Sequence, residues 1–143
     1  MNLKNISWIP GHPVAGTEKS GPRAGLSDLF RDRWTILTPD SQVKDSDVKK
    51  VSLFWESIGS KVKIMSAGDH DKILSLTSHL PHVIAYNIVK TAMSDNEKMK
   101  KDVIRYSAGG LRDFTRIAAS NPIMWKDIFI DNSDLIIDGI NKF

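Results

Sequence analysis

The chain has 143 residues, 41% of them apolar, with 20 Lys plus Arg against 17 Asp plus Glu and a formal net charge of +3. That length is typical of one domain with a real core, the composition argues against disorder, and so small a basic excess is no nucleic-acid footprint. No apolar run reaches membrane-spanning length, no basic-then-apolar leader opens the chain, and the lack of Cys removes disulfides, thiolate zinc sites and Cys nucleophiles. A cytoplasmic location is the default expectation.

Residues 6–9 (Ile-Ser-Trp-Ile) read as a short strand. Residues 10–25 follow with Pro10, Pro13 and Pro22 and with Gly11, Gly16, Gly21 and Gly25, a density that predicts no regular element. Residues 26–30 allow one helical turn. Residues 34–38 are rich in β-formers and stop at Pro39, which predicts a strand. Asp45-Ser46-Asp47 offers an N-cap for a helix over residues 47–58, with Val48, Val51, Phe54, Trp55 and Ile58 at helical spacing and Gly59 as its stop. Residues 62–65 alternate as a further strand.

The remainder reads as helical. One long helix is expected from Ser66 or Asp69 to Met93, apolar almost all round its second half, with Pro81 inside it either kinking it or losing one hydrogen bond near Thr77. Residues 95–101 are charged and solvent-facing. A helix follows over residues 110–119. Asn121 and Pro122 then supply the N-cap and first position of another, ending near Ile130. Asn132 or Ser133 caps a last apolar stretch, residues 135–140. No internal repeat or low-complexity tract is present.

Several groups can carry chemistry. His79 and His82 lie three apart on one helical face, a spacing that suits a metal ion or simply a packed core His and its neighbour. His70-Asp71 reads either as a ligating pair or as part of an acidic helix start that complements the dipole. His12 sits between Gly11 and Pro13; the fixed φ of Pro13 biases His12 to an extended backbone and holds its ring direction, as a general base requires. Gly109 and Gly110 open a helix whose backbone N–H groups suit an anion. Arg112 and Arg116 share a face of it, and Asp113 with Arg116 makes an i,i+3 pair: either a solvated salt bridge or an Arg held for a carboxylate. Trp125 reads as core or as the wall of the same pocket.

Together these segments resemble one family, the prephenate and arogenate dehydrogenases, NAD(P)-dependent enzymes of tyrosine biosynthesis. The resemblance rests on Gly11-His12-Pro13-Val14-Ala15-Gly16-Thr17-Glu18-Lys19-Ser20-Gly21, on Asp69-His70-Asp71, on Ser78-His79-Leu80-Pro81-His82, on the run from Gly109-Gly110 to Ile117-Ala118, and on Met124-Trp125. It covers residues 6–132. It implies a mainly α fold: a helical substrate-binding and dimerisation domain over residues 66–143, preceded over residues 1–65 by the short β/α end of a nucleotide-binding domain. It implies that His12 accepts the substrate hydroxyl proton as hydride leaves for the nicotinamide, and that the ring then loses carbon dioxide. It also implies that Arg116 binds a substrate carboxylate, that Asp113 orients Arg116, and that Thr17, Glu18, Ser78, His79, His82 and Trp125 line or brace the pocket, with Gly109 and Gly110 in support.

One part of the family pattern is missing. The dinucleotide fingerprint Gly-x-Gly-x-x-Gly occurs nowhere in the 143 residues. The expectation is therefore the middle of such an enzyme, with the family's later helices also lacking, acting on prephenate or arogenate with NAD or NADP bound by the intact family. Its partners would be another copy or a separate nucleotide-binding chain, with no nucleic acid and no membrane. Two other readings stand beside it: a non-catalytic remnant or assembly module using the apolar faces of residues 135–140 and of the long helix, and a metal-dependent hydrolase using His70, Asp71, His79 and His82.

Overall fold

The computed structural model describes residues 6–16, 21, 23, 25–94 and 96–143. The chain divides into two compact units, residues 1–70 and 71–143. Helices dominate and one three-stranded sheet lies near the front, the mainly α fold that the sequence predicts.

The first unit is built around β2 (Trp34–Leu37), whose Thr35, Ile36 and Leu37 are buried. On one side β1 (Gly11–Pro13) pairs with it antiparallel, His12 opposite Ile36. On the other, β3 (Lys61–Ile64) runs parallel, reached through α1 (Asp45–Ser57) as parallel pairing requires. The strand expected at residues 6–9 is absent; pairing begins later, inside the stretch expected to hold no regular element. The reason is local. Pro10 lacks an N–H but its carbonyl accepts from Thr38, and Gly11 lies so close to β2 that a Cβ there would meet Leu37 Cδ2 at 3.1 Å. Pro13 is tolerated because β1 is an edge strand.

Helix α1 begins at Asp45, with Lys44 rather than an acidic residue in the capping position. Asp47 instead accepts hydrogen bonds from Ser7 Oγ (2.6 Å) and Lys50 Nζ (3.1 Å). Of the expected apolar face only Val48 is buried; Phe54 and Ile58 are exposed. Gly59 ends the turn with φ +91°, a left-handed conformation that costs a side-chain-bearing residue about 1–2 kcal/mol. Beneath it, the buried Thr35 hydroxyl donates to Ser60 Oγ (2.7 Å), which donates in turn to the Arg33 carbonyl (2.9 Å), so neither hydroxyl is left unpaired.

The long helix expected from residue 66 onward is real in course but not in register. Ser66 Oγ accepts from the Asp69 N–H (3.1 Å) and opens α2 (Ala67–Leu74). A π turn (Ser75–His79) follows, then α3 (Leu80–Ala92). Pro81 has no N–H for the Thr77 carbonyl, and the turn before it widens so that the Leu80 N–H reaches the Ser75 carbonyl. The expected kink is thus absorbed as a change of helical register.

Four further helices follow: α4 (Glu97–Arg105), α5 (Gly109–Ala118), α6 (Pro122–Asp131) and α7 (Ser133–Asn141). The charged stretch at 95–101 therefore lies largely within a helix, opened by Asn96, whose Oδ1 accepts from Met99 N–H. Asn121 caps α6 as expected, its Oδ1 accepting from Ile123 N–H (2.9 Å). Asn132 precedes α7 but its side chain does not cap it. Helix α5 packs along α3, and α7 packs on the π turn and α3. Leu74, Ser75, Ala85, Trp125, Ile136 and Gly139 are the buried residues of this unit. Among the described residues no helix is long and apolar enough to cross a membrane.

Candidate functional site

In the first unit the candidate group is a histidine pair. Strand β1 presents His12, and its Nδ1 lies 2.8 Å from Nε2 of His70, on α2, with the ring planes at 63°. One proton bridges two ring nitrogens at that distance. When His12 Nδ1 carries it, His12 Nε2 keeps its lone pair and can act as a base. Burial of the imidazole, and then the neighbouring His70 ring, hold the His12 pKa below the ordinary 6.5. His12 is therefore neutral at pH 7. The residue as a whole is exposed, so a reactant can reach it.

In the second unit the side chains gather on Trp125, which is 7% exposed. The His82 ring stacks on the indole at 3.5 Å and 17°, His79 meets it edge-on at 6.1 Å, and Phe129 lies 5.5 Å away. His82 Nδ1–H donates to the Ser78 carbonyl (2.8 Å). Burial lowers the His82 pKa, the bond to Ser78 opposes this, and the charge of Arg116 lowers it again. The indole Nε1–H is buried and meets no acceptor among the described residues. His79 Nδ1 lies 3.1 Å from Asn132 Nδ2, which also donates to the Asp71 carbonyl (2.9 Å).

The structure brings some expected residues together and leaves others apart. Ser78, His79, His82 and Trp125 belong to one cluster, Ser78 through its carbonyl, and Arg116 bears on it through its charge. Gly109 and Gly110 open α5 with Ala108 in the capping position and no side chain capping it. Asp113 and Arg116 are both exposed on α5, and among the described residues no ion pair joins them. Thr17 and Glu18 lie outside the described residues. The four residues of the hydrolase reading are engaged separately: His70 with His12, the Asp71 carbonyl and His79 with Asn132, and His82 with Ser78. Among the described residues no three His, Asp or Glu side chains converge as a metal site would require. Sequence reasoning missed two partners, the pairing of His70 with His12 and the role of Asn132.

The fold is that of dehydrogenase chains. The prephenate dehydrogenase of Aquifex aeolicus, solved with hydroxyphenyl propionate and NAD+, superposes with a TM-score of 0.86 at 40% identity, over 94% of this chain and 47% of that one. Synechocystis arogenate dehydrogenase shares the fold at a TM-score of 0.77 and 23% identity, over 95% and 49%. Residues 1–64 match the family model for the nucleotide-binding domain of prephenate dehydrogenase, and residues 66–143 match the model for its dimerization domain. The chain belongs to the prephenate dehydrogenase family. It is 44% identical to the cyclohexadienyl dehydrogenase of Zymomonas mobilis over 99% of this chain and 48% of that one. It is 36% identical to the Bacillus subtilis prephenate dehydrogenase over 95% and 36%. It thus spans half or less of the length of these relatives.

Proposed function

We propose that this chain carries the substrate-site part of a prephenate or arogenate dehydrogenase, an enzyme of oxidative decarboxylation in tyrosine biosynthesis. The observation that carries the reading is His12: a neutral imidazole on an edge strand, its Nδ1 engaged by His70, its pKa held low by burial. Such a ring takes the proton of a substrate hydroxyl through Nε2 as the adjoining carbon gives up hydride. Arg116 supplies a permanent cation for a carboxylate, beside the His82–Trp125 stack that receives an apolar ring edge. Ser78 and His79 complete the wall beside that stack, Asp113 steadies Arg116 once a ligand orders it, and Gly109 and Gly110 let the start of α5 approach that ligand.

The dinucleotide is a separate matter. The residues present do not fit its pyrophosphate. Of the two helices that follow the parallel strands, α1 opens with Asp45 and Asp47, and α2 carries Asp69 in its first turn with that residue's N–H already taken by Ser66 Oγ, where a phosphate site needs bare N–H groups. Neither of these helix starts therefore suits the pyrophosphate of NAD or NADP, the hydride acceptor in the family reading, and no step of this proposal runs through it.

Isothermal titration of the chain with prephenate, beside Arg116→Ala, tests the reading. Losing a charge-assisted hydrogen bond to a carboxylate should weaken binding about 10- to 100-fold. Equal affinity of the two proteins would sink it. Exposure of Ile123 (70%), Ile130 (60%) and Ile137 (54%) in the unit matched to the dimerization model supports a second role, pairing with another copy. Sedimentation as a monomer at high concentration would refute that role.

A further inference from the structure

Asn132 donates through the same nitrogen to two acceptors, and this settles more than its own position. The Asp71 carbonyl can only accept, so the atom 2.9 Å from it is the amide nitrogen rather than the oxygen. The other hydrogen of that nitrogen then meets His79 Nδ1 at 3.1 Å, so Nδ1 is the accepting nitrogen and the ring proton sits on Nε2. The opposite holds for His82. The Ser78 carbonyl, 2.8 Å from His82 Nδ1, can only accept, so His82 carries its proton on Nδ1 and its Nε2 has a lone pair. Both rings contact Trp125.

We propose that Asn132 is a positioning residue that holds His79 as an Nε2–H donor, in the tautomer opposite to that of His82. Trp125 is then flanked by one ring protonated on Nε2 and one protonated on Nδ1. A ligand group that meets His79 Nε2 must accept, as a carboxylate or carbonyl oxygen does. A group that meets His82 Nε2 must donate, as a hydroxyl or ammonium does. Asn132 does this from the start of α7, while its backbone carbonyl accepts from Ile136 N–H, so the side chain is spent on His79 and not on the helix end.

The test is nitrogen-15 NMR of the histidine rings of the whole chain at about pH 8, where ordinary imidazoles are neutral. His79 should show a protonated Nε2 and His82 a protonated Nδ1. Asn132→Asp exchanges the donor for an acceptor and should move the His79 proton to Nδ1 while His82 stays as it was. Asn132→Ala should give His79 a mixed spectrum, and it serves if the Asp variant does not fold. Wild-type His79 protonated on Nδ1, or a folded Asn132→Asp protein with an unchanged His79, would overturn the proposal. A second arm rests on the proposed function: hydroxyphenyl propionate, whose carboxylate can only accept, should bind about tenfold more weakly to Asn132→Asp. If the wild-type chain does not bind that acid, the functional reading fails, while the ring spectra still decide the tautomers.

Discussion

Trp125 carries two opposed contributions, and truncating it in two ways separates them. The side chain is buried against His82, His79 and Phe129, and cutting a buried Trp to Ala ordinarily costs about 3–5 kcal/mol. The same side chain holds a buried Nε1–H with no acceptor among the described residues, a defect of about 1–3 kcal/mol that any truncation removes. Trp125→Ala should therefore destabilise by about 2 kcal/mol, less than its volume suggests. Trp125→Phe keeps most of the ring and loses about three heavy atoms, roughly 2 kcal/mol of burial. It removes the same orphaned donor, so its stability should fall within about 1 kcal/mol of wild type. Urea unfolding followed by far-UV circular dichroism reads both, because helices dominate the signal and the other three Trp, at positions 8, 34 and 55, are untouched. Losses of about 4 kcal/mol for the Ala variant and about 2 kcal/mol for the Phe variant would refute the reasoning, since such undiminished costs would mean that the indole N–H is hydrogen-bonded in the protein.

Stability should also depend on pH in one direction. Burial chiefly lowers the pKa of both His12 and His82 below 6.5, so as the pH falls through that value the unfolded chain takes up protons that the folded chain still refuses. The contribution is complete above 6.5 and is lost as the pH falls towards the two lowered values; a urea midpoint that rises from about pH 7.5 to about pH 5.5 would contradict this. Arg116→Gln should raise the His82 pKa, because one of the two influences lowering it is the Arg116 charge. A proton NMR titration of the His82 ring checks this, and an unmoved midpoint would show that the two side chains lie out of electrostatic reach.

Much of the fold was legible because it is set by short-range chemistry. Strand β2 follows from Trp34-Thr35-Ile36-Leu37 ahead of Pro39, and the start of α6 follows from Asn121-Pro122, where the cap and the missing N–H sit side by side. The errors have physical causes too. The strand expected at residues 6–9 had the right composition, but pairing with β2 starts where Gly11 permits close approach. Pro81 was rightly seen as a break in hydrogen bonding. A helix can meet that break by bending or by widening, and nothing in the residues near Pro81 decides between them. Packing of α7 on this turn, with Gly139 buried against Leu80, is a long-range condition.

The candidate site divides along the same line. His82 draws its tautomer from the carbonyl of Ser78, four residues earlier, which a helical reading of Ser78-His79-Leu80-Pro81-His82 already contains. His79 draws its tautomer from Asn132, 53 positions away, and His12 finds His70 at a separation of 58. Local pattern singles out residues able to carry chemistry. It does not say which nitrogen of each ring bears the proton, because that is decided by whatever side chain the fold brings alongside. Two histidines three positions apart on one helix look equivalent in the sequence. They become a donor and an acceptor only when a carbonyl of their own helix and an amide from the start of another have each claimed an Nδ1.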